Sequence, residues 1–546
     1  MNLRLIAFAS CLLTCLACST HYGSYDHIEP LPANPDLLIP PVADGDKPTS
    51  WPELVLEIGE PRPVSLSELL TMVLDRNLDI RVQRYDQLIA DDEIGKQQGI
   101  YDVTLSAGVS RSNAHIPSSQ DPEKAGRAGF SYANSLATGQ DSRQAEAALQ
   151  QLLPSGAALA IGSTTTRDKT SPLLTSARYD PFYSQQYGIS IIQPLLKNFG
   201  PTVTNSGIDI ARRSREIAAE AFRQQVLDQT AAVMSLYWDL VFAINDAEVQ
   251  QLSLEQAEGL LRVNTIKFDA EVLSLVDVLL AKAGVATRQS ALISAKARIR
   301  RVQDSIKRTI RTEEQTGWHD NLLPRDTPGF VEYPFALEQC LEQAFLHRPD
   351  LRQLELASEI ARIGERVARN QRLPSLDIAA SYSILGYGDD FDPANHDAGA
   401  RDYETWSYGI ELTFPLQNRA ARYAYKQAQT QVAQSELSQE NLRDRAILGV
   451  RDAMRNLTAL RQQIDTTKAA TEYEQAKLDA EQKRYDVGES TSQDILDYQE
   501  DLATARSNHF LAIVEFNKAV IELERTKGTL LDTLGIPIET IAADLQ

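Results

Sequence analysis

Few residues of this chain have the type and spacing that chemistry requires. Asp389, Asp390, Asp392 and Asp397 gather in one polar stretch and could draw a divalent cation. They lack the alternating ligand spacing and the glycine of a calcium loop, so a solvated surface is the simpler reading. No Cys/His pattern has zinc spacing, no glycine-rich loop has the phosphate-cradling form, and no G-x-S-x-G elbow presents a nucleophile. His509 falls in a helical seam, where packing explains it better than ligation. No enzyme activity, metal or cofactor is expected. A formal charge of -21 over 546 residues argues against nucleic acid as a partner.

The cysteines carry the one covalent expectation. Arg4 precedes an apolar run from Leu5 to Ala17, a secretory signal too short to span a membrane as a helix. Leu16-Ala17-Cys18-Ser19 is similar to a bacterial lipobox, with Cys15 where leucine is usual. That similarity implies removal of residues 1–17 and acylation of Cys18, a palmitate-type modification. Ser19 in place of Asp is similar to the signal for outer-membrane sorting. The alternative is an ordinary signal peptide with an incidental cysteine. Cys11 and Cys15 leave with the signal, and Cys340, on an apolar helical face, reads as packing. No later run of 18 apolar residues free of charge exists, so any membrane crossing must be made by strands.

The elements around these residues occur twice. Tyr187-Gly188-Ile189-Ser190-Ile191-Ile192-Gln193-Pro194 is echoed by Tyr408-Gly409-Ile410-Glu411-Leu412-Thr413-Phe414-Pro415. Phe268-Asp269 with Asp277-Val278-Leu279 is answered 217 places on by Tyr485-Asp486 with Asp494-Ile495-Leu496. Leu66, Leu70 and Asn77-Leu78-Asp79-Ile80 are answered 271 places on by Leu337, Leu341 and Arg348-Pro349-Asp350-Leu351. Matched landmarks in one order mean two tandem copies of one unit.

Each copy reads as a first helix, two strands and a long helical pair. Ser65 and Glu68 have capping-box spacing ahead of Leu66, Leu69, Leu70 and Val73, and the second copy's first helix starts near Phe335. Strand character follows at Val103–Val109 and Leu376–Tyr382, then in the two Tyr-Gly-Ile blocks. Ile410, Leu412 and Phe414 alternate with Glu411 and Thr413, the period of a wall with one apolar side. The stretch from Gly386 to Glu404 reads as a loop. The first copy's longer connection contains Pro154-Ser155-Gly156, a possible extra hairpin, inside or outside the sheet. Residues 202–323 and 416–536 lack proline and predict two antiparallel helices of about 50 residues each, roughly 75 Å long. Ile495, Tyr498, Leu502, Ala505, Ala512, Phe516, Ala519 and Leu523 mark a coiled-coil seam.

This arrangement resembles the TolC-like outer membrane efflux proteins from Ser65 to Ile536. The most specific motif is the run from Arg484-Tyr485-Asp486-Val487-Gly488-Glu489 through Asp494-Ile495-Leu496-Asp497, similar to the family's turn at the periplasmic tip. The resemblance implies an α+β membrane protein: a trimeric transmembrane β-barrel continued by a long periplasmic α-helical coiled-coil barrel. It divides the chain into signal 1–17, lipid-anchored tether 18–64, first repeat 65–312, linker 313–334, second repeat 335–536 and tail 537–546. It implies a homotrimer in the outer membrane that meets outer membrane lipid, a periplasmic adaptor and an inner-membrane transporter, and serves as a passive exit duct of unspecified cargo. By the same resemblance Asp494 and Asp497 ring the periplasmic aperture, Tyr485 and Asp277 stabilise its gate, and Val487, Gly488 and Glu489 dock the adaptor. Glu271 stands where the tip pattern has glycine, and Ser490 where some members have arginine. A lipid-anchored periplasmic coiled-coil scaffold without a pore is the rival reading. Four strands per chain would give twelve in a trimer, enough to close a barrel.

Overall fold

The computed structural model describes Leu38 and residues 61–116, 138–171, 181–310, 320–330, 333–334 and 336–537. The signal, Cys18 and most of the proline-rich tether lie outside the described residues.

A short strand β1 (Pro61–Val64) leads into α1 (Leu66–Arg76) and α2 (Leu78–Gln98). Ser65 caps α1 in a capping box with Glu68. Asn77 then ends α1 and starts α2, its side chain accepting from the backbone N–H of Asp79 and Ile80. Four strands follow, β2 (Thr104–Ile116), β3 (Thr138–Leu152), β4 (Ala158–Ser171) and β5 (Phe182–Pro194). The first helical pair is α3 (Ser206–Asp269) with α4 (Leu275–Thr309). After β6 (Asn321–Pro324), the second copy runs α5 (Leu337–His347), α6 (Pro349–Asn370), β7 (Ser375–Gly388), α7 (Phe391–Ala400), β8 (Tyr403–Thr413), α8 (Arg419–Asp486), α9 (Ser492–Lys527) and a final turn α10 (Leu530–Thr533). Where the first copy uses Asn77 to start its second helix, this copy places Pro349 in the first turn, where a missing N–H costs nothing.

The helical pairs are less symmetric than expected. Their members have 64 and 35 residues in the first copy, and 68 and 36 in the second, in place of four near 50. Each long helix outruns its partner, and its surplus length packs against α2 or α6 instead.

The sheet also departs from the four-strand expectation. Its order is β2-β3-β4-β5-β7-β8, six antiparallel strands, so the longer connection of the first copy adds two strands inside the sheet. The turn at Pro154-Ser155-Gly156 closes with Leu153 N–H on the Ala157 carbonyl at 2.7 Å. Gly156 has φ 87°, and a Cβ there would stand 2.4 Å from the Asn198 carbonyl oxygen, so the turn demands glycine. Residues in direct register share a face. Leu105, Leu149, Ile161, Ile189, Tyr382 and Trp406 lie in one such row, flanked on the same face by Val109, Ile191, Ile378, Tyr408, Ile410 and Leu412. The opposite face carries Ser106, Gly108, Glu146, Thr164, Ser190, Ser381, Ser407 and Glu411.

The stretch from Gly386 to Glu404, expected as a loop, contains α7, which packs on β7 so closely that a Cβ at Gly386 would lie 2.1 Å from backbone atoms of Ala394 and Ala398. Its acidic residues have structural work: Asp390 caps α7 at Phe391 N–H, and Asp397 accepts from Tyr387 N–H at 2.8 Å. Among the described residues no His/Cys/Asp/Glu group could hold a metal ion.

The main core surrounds Tyr237 and Trp238 of α3, with α1, α9 and α10 packed on it. β1 pairs in parallel with β6, joining the end of the tether to the stretch between the copies. Buried Asp326 locks this seam, accepting from Tyr237 Oη at 2.7 Å and from Leu66 N–H at 2.8 Å. Cys340 is buried against Ala344 and Val450, as packing requires, and burial pushes its thiol pKa up.

Candidate gate at the helical tips

The two helical pairs turn at tips built on one local plan. At the second tip the Glu489 N–H returns to the Arg484 carbonyl at 2.9 Å, and Gly488 sits at φ 83°. At the first, Val272 N–H returns to the Lys267 carbonyl at 2.8 Å, and Glu271 holds φ 60°. Glu271 thus adopts the left-handed backbone that its repeat partner reserves for glycine.

Both following helices begin with a capping box. Ser274 pairs with Asp277, and Thr491 with Asp494; in each the hydroxyl donates to the carboxylate at 2.6 Å. The carboxylates of Asp277 and Asp494 therefore fold back onto their own helix starts. Hydrogen bonds from Thr491, first its hydroxyl and then its backbone, hold the Asp494 carboxyl below its ordinary pKa. Asp497 is exposed and accepts from Gln493 at 2.7 Å. Val487 is exposed at the tip, and the first tip exposes Val272, Leu275, Val276 and Leu279.

Among the described residues no hydrogen bond joins the Tyr485 hydroxyl to the Asp277 carboxylate. That hydroxyl donates to Asn264 Oδ1 and lies 3.3 Å from Ser492 Oγ, while Lys267 sits over the Tyr485 ring at 4.2 Å. Asn264 is fully buried, and its Nδ2 donates to Ser492 Oγ at 2.9 Å and to the Asp277 backbone carbonyl at 3.3 Å. One amide thus joins both tips. A small core of Ala257, Leu260, Tyr485, Ile495 and Leu496 encloses it.

A second tie lies about three turns further along α3 and α4. Buried Arg288 of α4 donates to Ser253 Oγ of α3 at 3.1 Å and to the Leu496 carbonyl of α9 at 2.6 Å. Burial pulls its pKa down, with Glu500 and Asp497 pulling the other way. Gly284 permits this approach, since a Cβ there would meet Leu496 Cδ2 at 2.9 Å.

These tips crown a fold seen in known proteins. Residues 340–529 match the outer membrane efflux protein family. The chain is similar to the TolC-like outer membrane efflux proteins. It is 24% identical to the outer membrane protein TolC of Escherichia coli over 342 residues, 60% of this chain and 67% of that one. It is 21% identical to the outer membrane efflux protein BepC of Brucella suis, over 64% of this chain and 74% of that one. The outer membrane channel CmeC of Campylobacter jejuni shares its fold with a TM-score of 0.63 at 14% identity, over 96% of this chain and 97% of that one.

Within this TolC-like frame, Asn264 and Arg288 are the tip residues that the motif did not reveal. The 217-residue offset held a signal for both. It pairs Asn264 with Glu481, also buried, and Arg288 with the seam residue Ala505. A charged or amide side chain in a packed slot needs a partner, and here the partner is the neighbouring copy. The repeat is also broken at its aromatic: Tyr485 is buried while its counterpart Phe268 is 38% exposed.

Proposed function

We propose that the chain forms the outer-membrane exit duct of a tripartite efflux or secretion system, acting as a homotrimer with an adaptor and an inner-membrane transporter. The six-stranded sheet carries this reading. Among the described residues it has one apolar face, one polar face and two unpaired edges, β2 and β8, a combination that closure within a membrane satisfies without exposing strand edges. Joining β8 of one copy to β2 of the next leaves no edge after three copies. Three such sheets supply eighteen strands, within the range of outer-membrane barrels.

The helical pairs continue this barrel into the periplasm, with the tips at its inner end. Asp494 and Asp497 then ring the aperture, and the cluster on Asn264 and Tyr485 holds it shut, with Asp277 contributing its carbonyl and its cap. Val487, Gly488 and Glu489 offer one adaptor seat, and the exposed apolar side chains of the first tip support a second. Cys18 anchors the chain through an acyl group, with the tether leading to β1. A scaffold without a pore would leave the apolar face and both edges of the sheet unused.

Planar-bilayer recording of the purified protein tests the reading. Stepwise cation-preferring conductance from a species that cross-links as a trimer is expected. A monomer in detergent that never conducts would support the scaffold instead.

A further inference from the structure

The outward face of the sheet ends in a row of guanidinium groups. Arg111 of β2 lies opposite Arg143 of β3, which lies opposite Arg167 of β4. Two residues further out on the same face stand Asp141 and Lys169, also opposite one another. The row shares its face with Val109 and Ala145, each two residues closer to the helices. It therefore sits just past the apolar band, at the end of the strands remote from the periplasmic tips.

Like charges directly opposite one another destabilise a sheet. Among the described residues one carboxylate is within ion-pair distance of this group: Asp141, which takes Arg111 in a two-pronged pair at 2.8 and 3.1 Å. Arg167 lies over the Tyr183 ring at 5.9 Å. Four cations thus share one anion on a face that carries Val109 and Ala145 in the next row inward. The strands involved include the two added in the first copy, so the row is absent from the shorter second copy.

We propose that Arg111, Arg143 and Arg167 bind the phosphate groups of lipids in the outer leaflet. The assignment rests on the reading of the sheet as a membrane wall with its apolar face outward. A guanidinium fork matches phosphate oxygens, and its position at the band's edge is where headgroups stand. Bound phosphate would offset the repulsion along the row and fix the barrel's depth.

The test uses the detergent-purified trimer incubated with bisphosphorylated lipid A, with the dephosphorylated lipid, or with inorganic phosphate, and counts bound molecules by native mass spectrometry. Retention of the bisphosphorylated lipid alone is expected. The triple variant R111Q/R143Q/R167Q should bind it about a hundredfold more weakly while still conducting as a trimer. Should that variant not assemble, the triple Lys variant keeps the charge, loses the fork and should show an intermediate loss. Equal retention of the dephosphorylated lipid, or undiminished binding by the Gln variant, would overturn the proposal. Loss of trimer and conductance in the wild-type protein would instead overturn the duct reading beneath it.

Discussion

At Glu271 a side chain occupies backbone that costs an L-residue about 1–2 kcal/mol, whereas Gly488 occupies it freely. Gly488 is not crowded, since a Cβ there would meet nothing within 4 Å. Glu271→Gly should therefore stabilise the first tip by about 1 kcal/mol and Gly488→Ala destabilise the second by a similar amount. Amide hydrogen exchange at each turn reads this locally. Asn264 gives a sharper contrast. Asn264→Ala leaves the Tyr485 hydroxyl and Ser492 only their mutual 3.3 Å contact in a buried site, at roughly 1–3 kcal/mol, and should raise channel conductance. Tyr485→Phe should raise it less, by removal of one bond of about 1 kcal/mol. Asp277→Asn keeps a capping group and the backbone carbonyl, so conductance close to wild type is expected. If Asp277→Asn opened the channel as far as Asn264→Ala, the amide would not be the hub.

At the scale of elements, α9 is held at both ends by buried charge. Near the tip Arg288 binds its Leu496 carbonyl, and at the far end Lys527 pairs with Glu524, both almost wholly buried. Glu524 also accepts from the hydroxyls of Tyr333, Thr529 and Thr533. Burial alone would raise its pKa, but Lys527 and these hydroxyls overcome that and lower it. A carboxylate with a lowered folded pKa contributes stability that is full above its unfolded pKa, about 4.3. That contribution is lost as pH falls through the folded value. Thermal unfolding of the helical domain should thus show an acid-labile component below about pH 4, absent in Glu524→Gln. Lys527→Met leaves Glu524 buried without its cation and should cost about 3–5 kcal/mol by denaturant titration.

For the whole molecule, the proposed trimer would make the aperture a property of three copies. Asp494 has a lowered pKa in the single chain because Thr491 donates to it. Bringing three copies of Asp494 and Asp497 into one bore would push in the opposite direction, since like charges disfavour ionisation. Changing both to Asn should weaken cation preference and block by multivalent cations while leaving the fold intact. Unchanged selectivity in bilayer recordings would place both residues outside the lumen.

Much of this molecule was legible in the sequence because it is local. The capping box at Ser65, the glycine turn at Gly488 and the proline-free helical runs depend on neighbours within a few residues, and the tandem repeat made the helical pair visible twice. Tertiary structure alone decided what distant segments do for one another. Whether the hairpin at Pro154-Ser155-Gly156 joined the sheet depended on β4 finding β5, and the strength of α7 as a helix on its contact with Gly386. The unequal helical pairs depended on α2 and α6 taking over where the shorter partners end. Asn264 became a hub because folding places it beside Ser492, 228 residues away, where water is excluded and every polar group must find a partner.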